Sequence, residues 1–180
     1  MQKGFSEASL RTIAAHAGVT TGAIYGYYPD KHAIFIDLVE PAAGEFKNRF
    51  LKEQADFAAL TQDEQIKQMY KNSTEALQAL LDYIYGSFDS FWLIICSAAG
   101  TEYENYIDEL VRIEALSSIN FMKTLKAAGF EFAPLSENLI HILSNAYFSA
   151  IFETVAHNME KSEADEYVAK LTLFFKAGWG

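Results

Sequence analysis

One cysteine, three prolines and no long apolar run are the first constraints on this 180-residue chain. The lone Cys96 excludes an intrachain disulfide. No basic segment followed by an apolar one stands near Met1, so no secretory leader is expected and the chain is expected in the cytoplasm. The most apolar stretch, "FWLIICSAAG" from Phe91 to Gly100, is only about half of the roughly 20 residues that a membrane span requires. It is expected as a core helix, with no membrane as partner. Alternating Val/Ile/Thr runs bounded by hairpin turns are missing too, which argues against a sheet protein. Positive charge is scarce: 14 Lys and Arg stand against 24 Asp and Glu, for a net charge of −10.

What is present is apolar and helix-forming. Hydrophobic residues make up 51% of the chain and aromatics 14%, too much apolar surface for a disordered polymer. Ala, Leu, Glu, Lys and Gln are abundant and apolar residues recur at three and four, so the chain is expected to be all-α. Helices are expected over 9–16, 20–27, 31–52, 62–86, 88–99, 102–128, 136–160 and 163–177. Charge is distributed unevenly, with residues 1–52 at +1 and residues 53–180 at −11. The acidity that argues against a nucleic-acid partner therefore belongs to the C-terminal part, and the local face matters more than the sum.

The stretch "IAAHAGVTTGAIYGYYPDK", residues 13–31, has the chemistry of a helix, a tight turn and a second helix. Ile13, Ala14 and Ala17 form one apolar face, and small Ala14 permits a close helix crossing. Gly18 supplies the turn, since glycine takes positive φ without a Cβ penalty. Val19 is expected to plug the corner, Thr20 to cap the next helix and Ile24 to face inward. Thr21, Gly22, Ala23 and Tyr25 then point outward, where a DNA groove would meet them. A tight αα-hairpin in a plain bundle would account for the glycine and the spacing as well. The continuation "YGYYPDK" favours DNA: Lys31 opens a helix, where a cation is poorly placed against the positive end of the dipole unless an anion faces it. A phosphate is such an anion.

From Gly4 to Phe35, "GFSEASLRTIAAHAGVTTGAIYGYYPDKHAIF" resembles the DNA-binding region of the tetracycline-repressor (TetR) family of one-component transcriptional regulators. The shared marks are a Gly-aromatic, a Ser opening the next helix, Ile-Ala, Ala-Gly-Val, Gly-x-x-Tyr-x-Tyr-Tyr and Pro-x-Lys. The resemblance implies a helix-turn-helix DNA-binding domain over 1–48 and a helical effector-binding and dimerisation domain over 49–180. It implies that Ser9, Thr20, Tyr25, Tyr27 and Lys31 contact phosphates, while Thr21, Gly22 and Ala23 lie against base edges. Gly26 departs from the pattern, because many members carry a larger side chain there. Members also begin with an amphipathic helix ending at the Gly-Phe, whereas only "MQK" precedes Gly4 here, so most of that first helix is expected to be missing.

The stretch 80–114 is rich in aromatics, with Tyr83, Tyr85, Phe88, Phe91, Trp92, Tyr103 and Tyr106 in close succession. They could form an effector cavity or the ordinary core of a bundle. As a cavity, it would be lined by Tyr85, Phe88, Phe91, Trp92, Tyr103 and Tyr106 with Glu102 as an orienting group, and would suit an apolar molecule or a lipophilic cation. Leu139, Ile142, Leu143, Tyr147 and Ile151 recur at three and four, and the resemblance implies that with Leu171, Phe174 and Phe175 of the last helix they form a homodimer interface. The pairs His141/Asn145 and Glu153/His157 lack the further ligands that a metal needs, and Cys96 lacks a partnering histidine motif. No metal, cofactor or catalytic role is expected. The function expected is a ligand-responsive repressor that binds a palindromic operator as a homodimer. The alternative is a helical ligand-binding and dimerisation protein that no longer binds DNA.

Overall fold

The computed structural model describes residues 4–68, 72–131 and 135–179. Among them all regular structure is helical, in agreement with the class expected from periodicity. A 3-10 turn, Phe5–Glu7, is followed by α1 (Leu10–Ala17), α2 (Thr21–Tyr25), α3 (Lys31–Ala58), α4 (Gln62–Gln68), α5 (Asn72–Gly86), α6 (Phe88–Ser97), α7 (Tyr106–Ala127), α8 (Glu137–Ala156) and α9 (Lys161–Trp179).

Helix starts follow side-chain caps. The hydroxyls of Ser9, Thr20 and Ser136 and the carboxylate of Asp30 each accept a backbone N–H three residues on, satisfying donors that the first helical turn leaves free. The long α3 runs past Pro41, which is exposed, while Val39, Ala42, Ala43, Phe46 and Phe50 are buried and form the centre of the core. Around them pack Leu81 and Ile84 of α5, Phe91 and Ile94 of α6, Leu110 and Val111 of α7, and Phe148, Phe152 and Val155 of α8. α8 is apolar and long enough to meet the length and composition of a membrane span, but its buried residues are shared with α3, α6 and α7 in this core.

Three expected boundaries move. The helix expected over 62–86 is described as α4 and α5, with residues 69–71 lying outside the described residues. The helix expected from 102 begins at Tyr106, because Gly100 takes φ +84° and the Thr101 hydroxyl and amide both donate to the Ala98 carbonyl, holding residues 98–101 in a turn. The helix expected over 31–52 continues to Ala58 and so crosses the domain boundary expected at 48/49 without a break. At Ser87 the chain turns by 90° between α5 and α6.

Candidate DNA-binding face and effector cavity

The helix-turn-helix is built from short-range chemistry. The Thr12 amide donates to Ser9 Oγ at 3.2 Å, opening α1. Gly18 then takes φ +68°, ψ 23°, and the Val19 amide donates to the Ala14 carbonyl at 3.1 Å, closing α1 with a left-handed turn. The Ala23 amide donates to Thr20 Oγ1 at 3.1 Å and starts α2 two residues later. Ala14 and Ile24 are buried between the two helices, as their spacing predicts. Val19 does not plug the corner: it is 47% exposed, because the turn directs its side chain to solvent.

The residues expected to point outward reach the surface to differing degrees. Gly22, Ala23 and Tyr25 are exposed, Thr21 is half-buried, and Tyr27 is 86% exposed. Ser9 and Thr20 are exposed as well, their oxygens accepting the capping amides. A hydroxyl that accepts one bond keeps its own O–H to donate, so Thr20 can cap α2 and still offer a proton to an anion. Ser9 has a second neighbour, the Thr12 hydroxyl at 2.7 Å.

Lys31 is engaged within the protein. Its ammonium donates to three backbone carbonyls, those of Phe5 (2.7 Å), Ser6 (3.1 Å) and Ala8 (3.2 Å), and lies 4.4 Å from the centroid of the Phe5 ring. The negative ends of these carbonyl dipoles answer the cation at the start of α3. Residues 4–8 are thereby tied to α3, and Phe5 continues the attachment by packing edge-on against Phe35 at 5.3 Å.

The rings of the aromatic stretch from Tyr85 to Tyr106 are buried in the core or packed against it. Phe91, Tyr103 and Tyr106 are buried in the core. Phe35 meets Tyr103 (6.3 Å), Tyr103 meets Tyr106 (6.1 Å), and the Tyr106 hydroxyl donates to the Ala43 carbonyl at 2.8 Å. These rings join the helix-turn-helix to the body. Burial, with the Glu109 carboxylate nearby, pushes the Tyr106 phenol well up, so it remains a donor. Glu102 is exposed and lies 2.7 Å from His32 Nε2 on α3, and its own backbone amide together with that ring holds its carboxyl below the usual range. Tyr85 donates to the Met159 carbonyl at 3.1 Å and packs against Phe88, while Trp92 packs on the core.

A cavity of about 270 Å³ lies elsewhere, between α3, α4, α5, α7 and α8. Phe46, Phe50 and Phe57 of α3, Leu77, Leu81 and Ile84 of α5, Phe121 of α7 and Phe148 and Phe152 of α8 give it an apolar wall. Phe57 and Phe121 meet edge-on at 5.2 Å across it. Its polar groups are Glu53, Gln54, Gln68, Glu114, Ser117, Ser118 and Tyr147. Gln54 donates to Glu114 Oε2 at 2.7 Å and Ser118 to Oε1 at 3.2 Å. Glu114 retains some surface, but that surface faces the cavity and protein surrounds the carboxyl, so burial pushes it above the usual carboxylate range. Sequence reasoning missed this site. The available signal was a carboxylate on the buried stripe of α7, four residues after Leu110, three after Val111 and seven before Phe121.

The residues expected at a dimer interface divide. Ile142 is 60% exposed and Phe174 75%, and Leu139 is exposed beside them. Leu143, Leu171 and Phe175 are half-buried, the last packed edge-on against Tyr147 at 4.9 Å. Tyr147 and Ile151 turn inward onto the cavity, Ile151 fully, because four-residue steps along α8 drift round to the protomer's own core. Leu173, not expected at this face, is exposed beside Phe174. His157 pairs with Glu153 at 3.0 Å on the surface of the same helix.

A capped helix-turn-helix at the end of an all-helical body is the architecture of a DNA-binding regulator. Residues 1–38 match the model of the family described as bacterial regulatory proteins, tetR family. The N-terminal part of the chain is thus similar to the DNA-binding domain of TetR-family transcriptional regulators. No curated protein matches it.

Proposed function

We propose that the chain is a TetR-family transcriptional regulator, a ligand-responsive repressor that binds a palindromic operator as a homodimer and releases it when a small molecule enters the cavity between α3, α4, α5, α7 and α8. The observation that carries this reading is the continuity of α3. One unbroken helix of 28 residues, about 42 Å long at the usual rise, holds the helix-turn-helix through Lys31 and Phe35 at one end and walls the cavity with Phe50, Gln54 and Phe57 at the other. A ligand that spreads the cavity tilts a rigid lever, and the lever's far end carries the DNA-binding face.

In this reading Thr21, Gly22 and Ala23 meet base edges, and Ser9, Thr20, Tyr25 and Tyr27 meet phosphates. The functional division in this reading is a DNA-binding domain over 1–48 and an effector-binding and dimerisation domain over 49–180, with α3 running through both. Leu139 and Ile142 of α8 with Leu173 and Phe174 of α9 supply an exposed apolar surface of the kind buried between protomers. Pairing there supports two recognition helices reaching half-sites about 34–36 Å apart. The site of action is the cytoplasm, and no catalytic step is assigned to the chain.

Selection from randomised duplex DNA, followed by a gel shift at one fixed salt concentration, tests the reading. The expected product is an inverted repeat bound by two copies of the chain. Enrichment of no sequence, with a dimer still present, would replace it with a helical ligand-binding and dimerisation protein that no longer binds DNA.

A further inference from the structure

We propose that Glu114 makes the cavity selective for a compact lipophilic cation, which is taken up in exchange for a proton. This rests on the reading of the cavity as the effector site and names the chemistry of its ligand. Three observations combine. At about 270 Å³ the cavity lies at the small end of the range of roughly 300–1,000 Å³ typical of ligand sites, so its occupant is compact. Phe46, Phe50, Phe57 and Phe121 give the space an aromatic wall, and the face of a phenyl ring attracts positive charge. The carboxyl of Glu114 faces this space, and the described donors on it are neutral, the Gln54 amide at 2.7 Å and the Ser118 hydroxyl at 3.2 Å.

Among the described residues that line the cavity, none provides a countercharge. α3 brings Glu53 and Gln54 to the lining, α4 brings Gln68, α5 only apolar side chains, α7 Ser117 and Ser118, and α8 the Tyr147 phenol. Among the described lining residues there is no Lys, Arg or His. Glu53 and Tyr147 are the other titratable groups, and either one ionised would add negative charge. An ionised Glu114 is thus a buried anion without a cation, a costly state that protonation relieves. A ligand cation relieves it in another way. On binding, the Glu114 O–H proton leaves to solvent and the carboxylate faces the ligand's positive charge, so one positive charge enters as one leaves. An anionic ligand meets two carboxyl groups and no cation, and a neutral one leaves the proton in place.

Calorimetric titration of the full chain with benzyltrimethylammonium and with its neutral carbon isostere, neopentylbenzene, separates the cases because the two probes share shape and differ in charge. In buffers of different ionisation enthalpy, the cation is expected to release up to one proton per ligand. Its affinity should rise by up to about tenfold per pH unit while Glu114 is protonated in the free protein. Neopentylbenzene should show neither effect. Glu114→Gln should weaken the cation by about tenfold or more and leave the neutral isostere within about twofold, with thermal unfolding confirming a folded variant. The proton count needs no variant, so a misfolded substitution does not prevent a decision. Binding of the neutral probe but not the cation, or cation binding without proton release, overturns the selectivity and leaves the effector cavity standing. Binding of neither probe overturns both.

Discussion

Replacing Lys31 by Met separates a residue that grips DNA from one that holds the DNA-binding unit together. The substitution keeps the apolar stem beside Phe5 and removes the ammonium that donates to the carbonyls of Phe5, Ser6 and Ala8. A hydrogen bond to a charged group contributes about 1.5–3 kcal/mol. Here the three share one half-buried cation, and water can reach the vacated carbonyls, so the loss is set at about 2 kcal/mol in all rather than three times the single value. That energy holds residues 5–8 against α3. Their amides should therefore show it: the Glu7 and Ala8 N–H groups, bonded to the Gly4 carbonyl at 3.1 and 3.2 Å, are expected to exchange with solvent roughly 30-fold faster in Lys31→Met. DNA affinity should fall on every sequence alike while its salt dependence stays the same. A phosphate ligand behaves otherwise, since losing one contact lowers the slope of log K against log salt by about 0.9. A slope reduced by about one, with unchanged exchange at Glu7 and Ala8, would refute the holding role and return Lys31 to the phosphates.

Thr21→Ala is expected to shift the sequence preference found by selection, by about 1–3 kcal/mol at the affected base pair, with little change in nonspecific affinity; an unaltered preference removes Thr21 from the reading set. Ile142→Glu and Phe174→Glu place charge on exposed apolar surface of α8 and α9, and each should convert a dimer to monomer in sedimentation while leaving the helical signal intact. A dimer that survives both places the interface elsewhere. Glu114 has a carboxyl raised by burial, so its contribution to stability is present at low pH and is lost as pH rises through the folded-state value. Glu114→Gln should accordingly raise the melting temperature at mildly alkaline pH and leave it nearly unchanged in acid. An equal shift at both pH values would mean that the effect is not one of ionisation.

Local chemistry alone was enough for the helix-turn-helix. Ser9, Gly18, Thr20 and Asp30 act on backbone groups within a few residues of themselves, so a cap or a left-handed turn at these positions is legible in the order of side chains. The all-α class and the inward positions of Ala14 and Ile24 were legible for the same reason, since a period of three to four residues is a property of the chain and not of its surroundings. Tertiary structure decided everything whose partner is distant. The carbonyls that meet the Lys31 ammonium come from residues 23 to 26 positions earlier, on a turn that periodicity does not place. Tyr103 and Tyr106 look the same in the sequence whether they line a hollow or fill one, and only the approach of Phe35 and the Ala43 carbonyl makes them the joint between the DNA-binding unit and the body. The cavity is likewise a product of assembly. Gln54 and Glu114 are 60 residues apart, and α3 and α7 bring them to 2.7 Å, enclosing a carboxyl whose charge no described lining residue balances.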